Sequence, residues 1–195
     1  MGIVKADSGQ IFGSIDGKKI SRLDTLAIHE RCKEYKIGFI PQNESVFSGL
    51  TAAENLRAIA EIVIKNQEQR QTVIENLLSE FTLNDVRNVL AKNLSGGSRK
   101  KLVIARALIN KPKLLICDEI FSAIDPKTIE TIKEIIIKLQ RKGISILISD
   151  HAFENVLQIA DKVYIISEGQ IVSSGKPQDI VKDHQARKTY FGDTY

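Results

Sequence analysis

The sequence predicts an α/β fold with a parallel sheet, and three observations support that prediction. Short apolar runs alternate with segments of helical periodicity, which is typical of parallel strands joined by helices. The run Leu114–Cys117 is apolar at every position, as expected of a central strand covered by helices on both faces. Polar residues follow several of these runs directly, at the strand ends where open α/β sheets bind ligands.

The composition is that of a folded globular domain. The 195 residues are 43% hydrophobic and 27% charged, which argues against disordered and fibrous classes. No apolar run approaches the roughly 18 residues that a membrane span needs. Residues 1–7 lack the apolar core of a signal peptide, and the two cysteines, Cys32 and Cys117, fit a reducing compartment, so we expect a cytoplasmic protein. The basic residues are scattered despite a net charge of +4, so we expect no nucleic-acid partner.

The elements before residue 50 are predicted from turn and breaker residues. An Asp16-Gly17 pair between alternating apolar positions predicts a hairpin with strands at Gln10–Ile15 and Lys18–Ile20. A helix follows at Leu23–Glu34. A short strand at Ile37–Ile40 then ends before a proline, which cannot donate to a strand ladder.

Residues 51–93 form a predicted helical insertion in this α/β pattern. Thr51 and Glu54 have the spacing of a capping box, and the helix that they open extends to about Ile64. A second helix spans about Glu68–Phe81, where apolar residues recur every three to four positions.

The second half of the chain returns to alternating helices and strands. Pro126 suits the first turn of a helix, and Gly143 suits its end. The predicted elements are a helix over 95–110, a strand over 113–118, a helix over 126–142, a second buried strand over 145–149, a helix over 152–160, paired strands over 162–167 and 170–174, and short helices over 178–182 and about 185–190.

A serine and two glycines, Ser95, Gly96 and Gly97, stand where a helix begins. Glycines let the backbone approach an anion closely, and the free N–H groups and positive dipole end of the helix then point at it. The serine hydroxyl adds a donor. This turn therefore predicts a phosphate contact; the alternative is a loop with an ordinary helix cap.

Three further candidates follow predicted strands. Asp118 and Glu119 end a buried strand, where the aspartate can hold Mg²⁺ and the glutamate can orient or deprotonate a water. His151 and Gln42 follow other strands and could reach a phosphate, Mg²⁺ or the water. The alternatives are a solvated carboxylate pair, a structural histidine and a loop glutamine.

The order of these segments resembles the nucleotide-binding domain of ATP-binding cassette (ABC) proteins. Gln42 matches the Q-loop, Leu94–Gly97 the signature motif, and Leu114–Glu119 the Walker B strand with its catalytic glutamate. Residues 122–125 match the D-loop and His151 the switch histidine. Five motifs in this order make the resemblance specific.

The resemblance implies a P-loop NTPase-type fold and an ATPase that works with ATP and Mg²⁺. It implies that Glu119 and His151 are catalytic and that Asp118 and Gln42 bind the metal. Nucleotide contacts are implied for Gln42, Ser95, Gly96, Gly97 and Asp125. The implied partners are a second ATPase subunit and transmembrane subunits, with the chain peripheral on the inner face of the inner membrane. We expect residues 1–195 to be one partial ABC domain with a helical subdomain at about 51–93.

Within the family the chain is most similar to ATPase subunits of lipopolysaccharide-export transporters. The similar segments are 4–9, 37–47, 132–136, 146–151 and 190–192. Branched-chain amino-acid importer ATPases look alike in several of these segments and remain an alternative.

The family's P-loop, Gly-x-x-x-x-Gly-Lys-[Ser/Thr], does not occur in these residues. Gly17-Lys18-Lys19 and Gly175-Lys176-Pro177 come nearest, and neither has the leading glycine or the hydroxyl residue. That loop supplies backbone donors, a lysine and the hydroxyl ligand of Mg²⁺. We therefore expect an N-terminally truncated domain that lacks its first strands and is inactive alone. The alternative is a non-catalytic remnant that only binds a partner ATPase or a membrane subunit.

Overall fold

Three parallel strands organise the first of two units in this computed structural model. The structure describes residues 4–14, 20–43 and 45–186, and the chain divides into Met1–Ser149 and Asp150–Tyr195. The first unit contains β1 (Phe12–Gly13), β2 (Ser21–Arg22), α1 (Ile28–Glu34), β3 (Ile37–Ile40), α2 (Ala52–Val63), α3 (Gln67–Glu80), α4 (Gly96–Leu108), β4 (Leu114–Asp118), α5 (Pro126–Arg141) and β5 (Ser145–Ser149). Among the described residues no helix has the length and apolarity to span a membrane.

The sheet has the order β3-β4-β5, with β4 in the centre. Its register pairs Ile40 with Cys117 on one side and Asp118 with Ser149 on the other, and both pairings are parallel. All three carboxyl ends therefore lie at one edge, as the sequence predicts. Leu115 and Cys117 are buried in β4, and burial raises the pKa of the Cys117 thiol to about 12.

The prediction that 145–149 is a second buried strand is wrong. Ser145, Leu147 and Ser149 are exposed, and Leu147 is 55% accessible to solvent. Within the described residues β5 pairs with β4 alone and is an edge strand. Since successive side chains alternate between the two faces of a strand, the uncovered face stays open to water.

The helical part follows the prediction closely. The Thr51 hydroxyl accepts from the Glu54 N–H at 3.2 Å, and the Glu54 carboxylate accepts from the Thr51 N–H at 2.8 Å, which completes the capping box. α2 and α3 bury one side each, with Leu56, Ala60, Leu77 and Leu78 in the core.

The N-terminal hairpin and the helix after it are displaced from their predicted ranges. Phe12 pairs with Arg22 in antiparallel fashion, so the pairing is confirmed, but β2 begins after Ile20. The Asp16-Gly17 turn lies outside the described residues. α1 begins at Ile28 rather than Leu23, because the Leu23 N–H donates to the Ile11 carbonyl at 2.7 Å.

As far as residue 186, where the described part ends, the second unit contains a hairpin and three short helices. These are α6 (Phe153–Leu157), β6 (Val163–Ser167), β7 (Gln170–Gly175), α7 (Pro177–Ile180) and α8 (His184–Ala186). β6 and β7 pair antiparallel around a turn at Glu168 and Gly169, as predicted. The helix predicted over 152–160 is shorter, and most of the one predicted near 185–190 lies outside the described residues. The core of this unit is formed by Ile165, Ile180 and Ala186.

Candidate functional site

Gln42 and Glu119 meet at the carboxyl edge of the sheet. Gln42 follows β3 by two positions, and Glu119 directly follows β4. The Gln42 amide nitrogen donates to a Glu119 carboxylate oxygen at 2.7 Å. Two residues that are 77 positions apart in the sequence are thus joined at the place where both strands end.

Asp118 lies beside this pair at the end of β4. The Ser149 hydroxyl, from the end of β5, donates to a carboxylate oxygen of Asp118 at 3.2 Å. The Glu119 N–H donates to the Ser149 carbonyl at 2.7 Å, which extends the pairing of β4 with β5 by one residue. We call Gln42, Asp118, Glu119 and Ser149 the sheet-edge cluster.

The sheet-edge cluster has the oxygen donors that Mg²⁺ prefers. Asp118 offers carboxylate oxygens, and Gln42 offers its amide oxygen because its nitrogen is engaged by Glu119. No group of three or more His, Cys, Asp or Glu side chains is arranged for a metal in the part of the chain that the structure describes. One carboxylate and one amide nevertheless fit Mg²⁺, which commonly takes one or two protein oxygens and completes its shell with phosphate oxygens and waters.

The backbone after Asp118 turns sharply, and a hydrogen bond and two buried side chains hold this turn in place. Glu119 and Ala123 have φ values of +48° and +56°, in the left-handed region that residues other than glycine seldom adopt. The Glu119 carbonyl accepts from the Ser122 hydroxyl at 2.9 Å. Ile120 and Phe121 are buried at the centre of this turn. The turn therefore holds the glutamate and the following loop against the core.

Ser95 caps the helix that begins with the two glycines. Its hydroxyl oxygen accepts from the Ser98 N–H at 3.2 Å. A Cβ atom added at Gly96 would meet no atom within 4 Å, so the backbone there borders open space. A Cβ atom at Gly97 would lie 2.9 Å from the Thr128 hydroxyl oxygen. Gly96 thus borders open space, whereas Gly97 packs against the Thr128 side chain.

Asp125 caps α5, the helix that carries Thr128. Its carboxylate accepts from the Thr128 N–H at 3.0 Å and from the Thr128 hydroxyl at 2.5 Å. These hydrogen bonds from Thr128 lower the pKa of Asp125 below its ordinary value. The structure therefore shows a local capping role for this residue.

His151 belongs to the second unit. Its side chain is 69% exposed, and its Nδ1 lies 4.0 Å from a carboxylate oxygen of Asp150, whose side chain is buried. The Asp150 carboxylate also accepts from the Ala152 N–H at 2.9 Å. The site residues predicted from sequence thus form two groups in the first unit, Gln42–Asp118–Glu119 and Ser95–Gly97 with Asp125, and His151 lies in the other unit.

The segment 45–50, which joins the sheet to α2, is held by side chains from two helices. Asn55 of α2 is fully buried, accepts from the Phe47 N–H at 2.8 Å and donates to the Phe47 carbonyl at 3.0 Å. Arg106 of α4 donates to the Ser45 carbonyl, and its guanidinium lies 4.6 Å from the centre of the Phe47 ring. Burial lowers the pKa of Arg106. Phe47 remains 45% exposed, on a segment that side chains of both helices contact.

Sequence reasoning missed Ser149, Thr128, Asn55 and Arg106. The sequence carried a signal for Ser149, because it ends the strand expected beside Asp118. The sequence also carried a signal for Thr128, because the residue three positions after a helix N-cap commonly donates its N–H to the capping side chain. Nothing local in the sequence indicates Asn55 or Arg106, whose partners depend on how α2 and α4 pack.

Comparison with known sequences gives a consistent result. Residues 1–122 match the family described as ABC transporter. The whole chain is 37% identical over 196 aligned positions to the lipopolysaccharide export system ATP-binding protein LptB of Haemophilus influenzae, of which it covers 79%.

Solved structures confirm the predicted α/β fold. The ATP-binding cassette MJ1267 of an ABC transporter, solved in its ADP conformation, matches with a TM-score of 0.77 and 25% identity over 98% of this chain and 80% of that one. The ATP-binding cassette MJ0796, solved as a dimer in a post-hydrolysis state with ADP and phosphate, matches with a TM-score of 0.75 and 25% identity over 90% of this chain and 76% of that one. The chain therefore belongs to the ABC transporter family, among its ATP-binding proteins.

Proposed function

We propose that this chain is the ATPase subunit of a transporter that exports lipopolysaccharide from the inner membrane. The choice of substrate is supported by the 37% identity to LptB along the whole chain. The ATPase role is carried by one observation, the 2.7 Å hydrogen bond that joins Gln42 to Glu119 next to Asp118. It places an oriented carboxylate beside oxygen donors suited to Mg²⁺.

Glu119 is the general base in this proposal. A water attacks the γ-phosphorus and transfers a proton to the Glu119 carboxylate, while the bond from that phosphorus to the bridging oxygen breaks and ADP leaves. Accepting such a proton is a common role for a positioned glutamate. We assign to His151 and Gln42 the sensing of the γ-phosphate.

Asp118 and the Gln42 amide oxygen would hold Mg²⁺. When bound, the ion neutralises negative charge that develops on the phosphate oxygens. The Ser149 hydroxyl, which donates to Asp118 at 3.2 Å, orients that carboxylate toward the same edge.

Ser95, Gly96, Gly97 and Asp125 contact nucleotide held by a second subunit in this proposal. The open space at Gly96 supports it, because a backbone without a Cβ there lets a phosphate approach closely. The dimeric state of MJ0796 supports a pair of ATPase subunits. The exposed ring of Phe47 on the segment 45–50 is the proposed contact with transmembrane subunits on the inner face of the membrane.

A second candidate function follows from the absence of a P-loop sequence in these residues. Hydrogen bonds to charged groups contribute about 1.5–3 kcal/mol each, so a site without the P-loop donors binds a triphosphate weakly. In this second candidate the chain hydrolyses nothing alone and presents Ser95–Gly97 to ATP held by a complete partner subunit.

A complementation assay distinguishes the two candidates. The chain is mixed with a variant of H. influenzae LptB substituted at the positions that align with Ser95, Gly96 and Gly97 of this chain, and phosphate release is measured with the chain alone and with the mixture. If the chain alone releases phosphate and the Glu119→Gln variant does not, the first candidate is supported. Release by the mixture only, lost in Ser95→Ala, supports the second. No release in either arm contradicts both.

A further inference from the structure

The two glycines at the start of α4 have different surroundings. Gly96 borders open space, whereas an added Cβ at Gly97 would lie 2.9 Å from Oγ1 and 3.2 Å from Cγ2 of Thr128. Neither glycine has a left-handed φ. The backbone at position 97 therefore accepts alanine, and only the neighbouring side chain opposes it.

Thr128 cannot move aside easily. It is β-branched, so few χ1 values are open to it. Its hydroxyl donates to the Asp125 carboxylate at 2.5 Å, and its backbone N–H donates to the same carboxylate at 3.0 Å. A Cβ at position 97 would have to displace a side chain that is held by the helix cap.

Thr128 thus lies between two elements of the candidate site. On one side it contacts the glycine turn that begins α4, and on the other it bonds to the residue that caps α5. α4 and α5 are 13 and 16 residues long, so each helix brings an ordered first turn to this point. The threonine side chain therefore lies between the first turns of the two helices.

We propose that Thr128 is a positioning residue that fixes the glycine turn of α4 against the Asp125 cap of α5, and that residue 97 is glycine because of this contact within the chain. The consequence for activity rests on the proposed function, in which Ser95–Gly97 and Asp125 face one nucleotide. The contact itself does not depend on that function.

A thermal double-mutant cycle on the full chain tests the contact. Gly97→Ala lowers the Tm in the wild-type background, because the new Cβ collides with Thr128. In the Thr128→Ala background both colliding atoms are gone, and Gly97→Ala leaves the Tm unchanged or raises it, since alanine is the better helix former. Equal loss of Tm in the two backgrounds would overturn the proposal. Gly96→Ala is the matched control for stability, because it meets no atom within 4 Å.

Amide hydrogen exchange provides a local readout. The Thr128 N–H donates to Asp125, so its exchange reports whether the cap is intact. Gly97→Ala should accelerate exchange at Thr128, which lies 31 positions away in the sequence, and Gly96→Ala should leave it unchanged. Unchanged exchange in Gly97→Ala would contradict transmission through the threonine.

The complementation assay described above tests positioning. We expect Thr128→Ala to lower the rate of phosphate release about tenfold, since displacements near 1 Å at a catalytic site can cost up to a hundredfold, and Thr128→Ser to restore most of it. Thr131→Ala, one turn further along α5, is the matched control. A Thr128→Ala rate equal to wild type overturns the positioning role. If the wild-type chain releases no phosphate either alone or in the mixture, both candidate functions fail, and the thermal cycle still decides the contact.

Discussion

Asn55 lies fully buried near the start of α2, where it bonds to both the N–H and the carbonyl of Phe47. Its Nδ2 also donates to the carbonyls of Leu50 at 3.2 Å and Thr51 at 3.0 Å. A single amide thus bonds one backbone N–H and two backbone carbonyls of the segment 45–50. Because buried polar groups that lose their partner are costly, Asn55 contributes to the stability of this segment together with Arg106.

Asn55→Leu should lower the free energy of unfolding by about 1–3 kcal/mol, because it keeps the volume and removes the acceptor of the Phe47 N–H, whereas the carbonyls of Phe47, Leu50 and Thr51 keep backbone donors. Denaturant unfolding of the full chain measures the change. Asn88→Ala, at an exposed position, should stay within about 0.5 kcal/mol of wild type. A small effect of Asn55→Leu would mean that the segment finds other partners.

The candidate site could be predicted from sequence only in part. Gln42 and Glu119 meet because both follow parallel strands whose carboxyl ends share one edge of the sheet. The residue types and their positions after those strands were therefore enough to predict that they lie close together. The contact of Gly97 with Thr128 depends on how α4 and α5 cross, which no local pattern encodes. The assignments of catalytic, nucleotide and metal roles remain predictions.

At the scale of the element, the capping box of α2 has a consequence for pH. The backbone N–H of Thr51, and then its hydroxyl, lower the pKa of Glu54 below its ordinary 4.5. A carboxyl whose folded pKa is lowered stabilises the fold above its unfolded pKa, and this contribution disappears as the pH falls through the folded pKa.

The Tm difference between wild type and Glu54→Gln should therefore be largest at neutral pH and should shrink below about pH 4.5. Thermal melts across that range measure it. Glu61→Gln, on the exposed side of the same helix, is the matched control. A difference that grows on acidification would contradict the stated direction.

The sequence predictions were accurate where neighbouring residues determine an element, and they were wrong where distant contacts do. β3, the capping box and the helices of the helical part depend on neighbouring residues, and their predicted positions agree with the structure to within one or two residues. The start of α1 was wrong because Leu23 bonds to a residue before the hairpin turn. The burial of β5 was wrong because burial depends on what covers a strand and not on the strand's own sequence.

At the scale of the whole molecule, β5 differs from the buried strand that the sequence predicts, because one of its faces is exposed to solvent. Leu147 is 55% exposed on a strand that pairs on one side only, among the residues described. Open apolar edges favour association between chains.

Leu147→Lys should reduce concentration-dependent association, because a lysine on an edge strand opposes pairing with another chain. Light scattering over a concentration series measures the effect, and the Tm should change little at such an exposed site. Ile148→Lys is the comparison at a less exposed position of the same strand, where loss of stability is expected. Unaltered scattering in Leu147→Lys would show that association, if present, uses another surface.

The burial of Cys117 also decides how the molecule can be labelled. A thiol with a pKa of about 12 inside the sheet supplies almost no thiolate to a maleimide or iodoacetamide reagent. Cys32, on α1, is only partly buried. The unaltered chain can thus receive a fluorophore or spin label at α1, with the central strand left untouched.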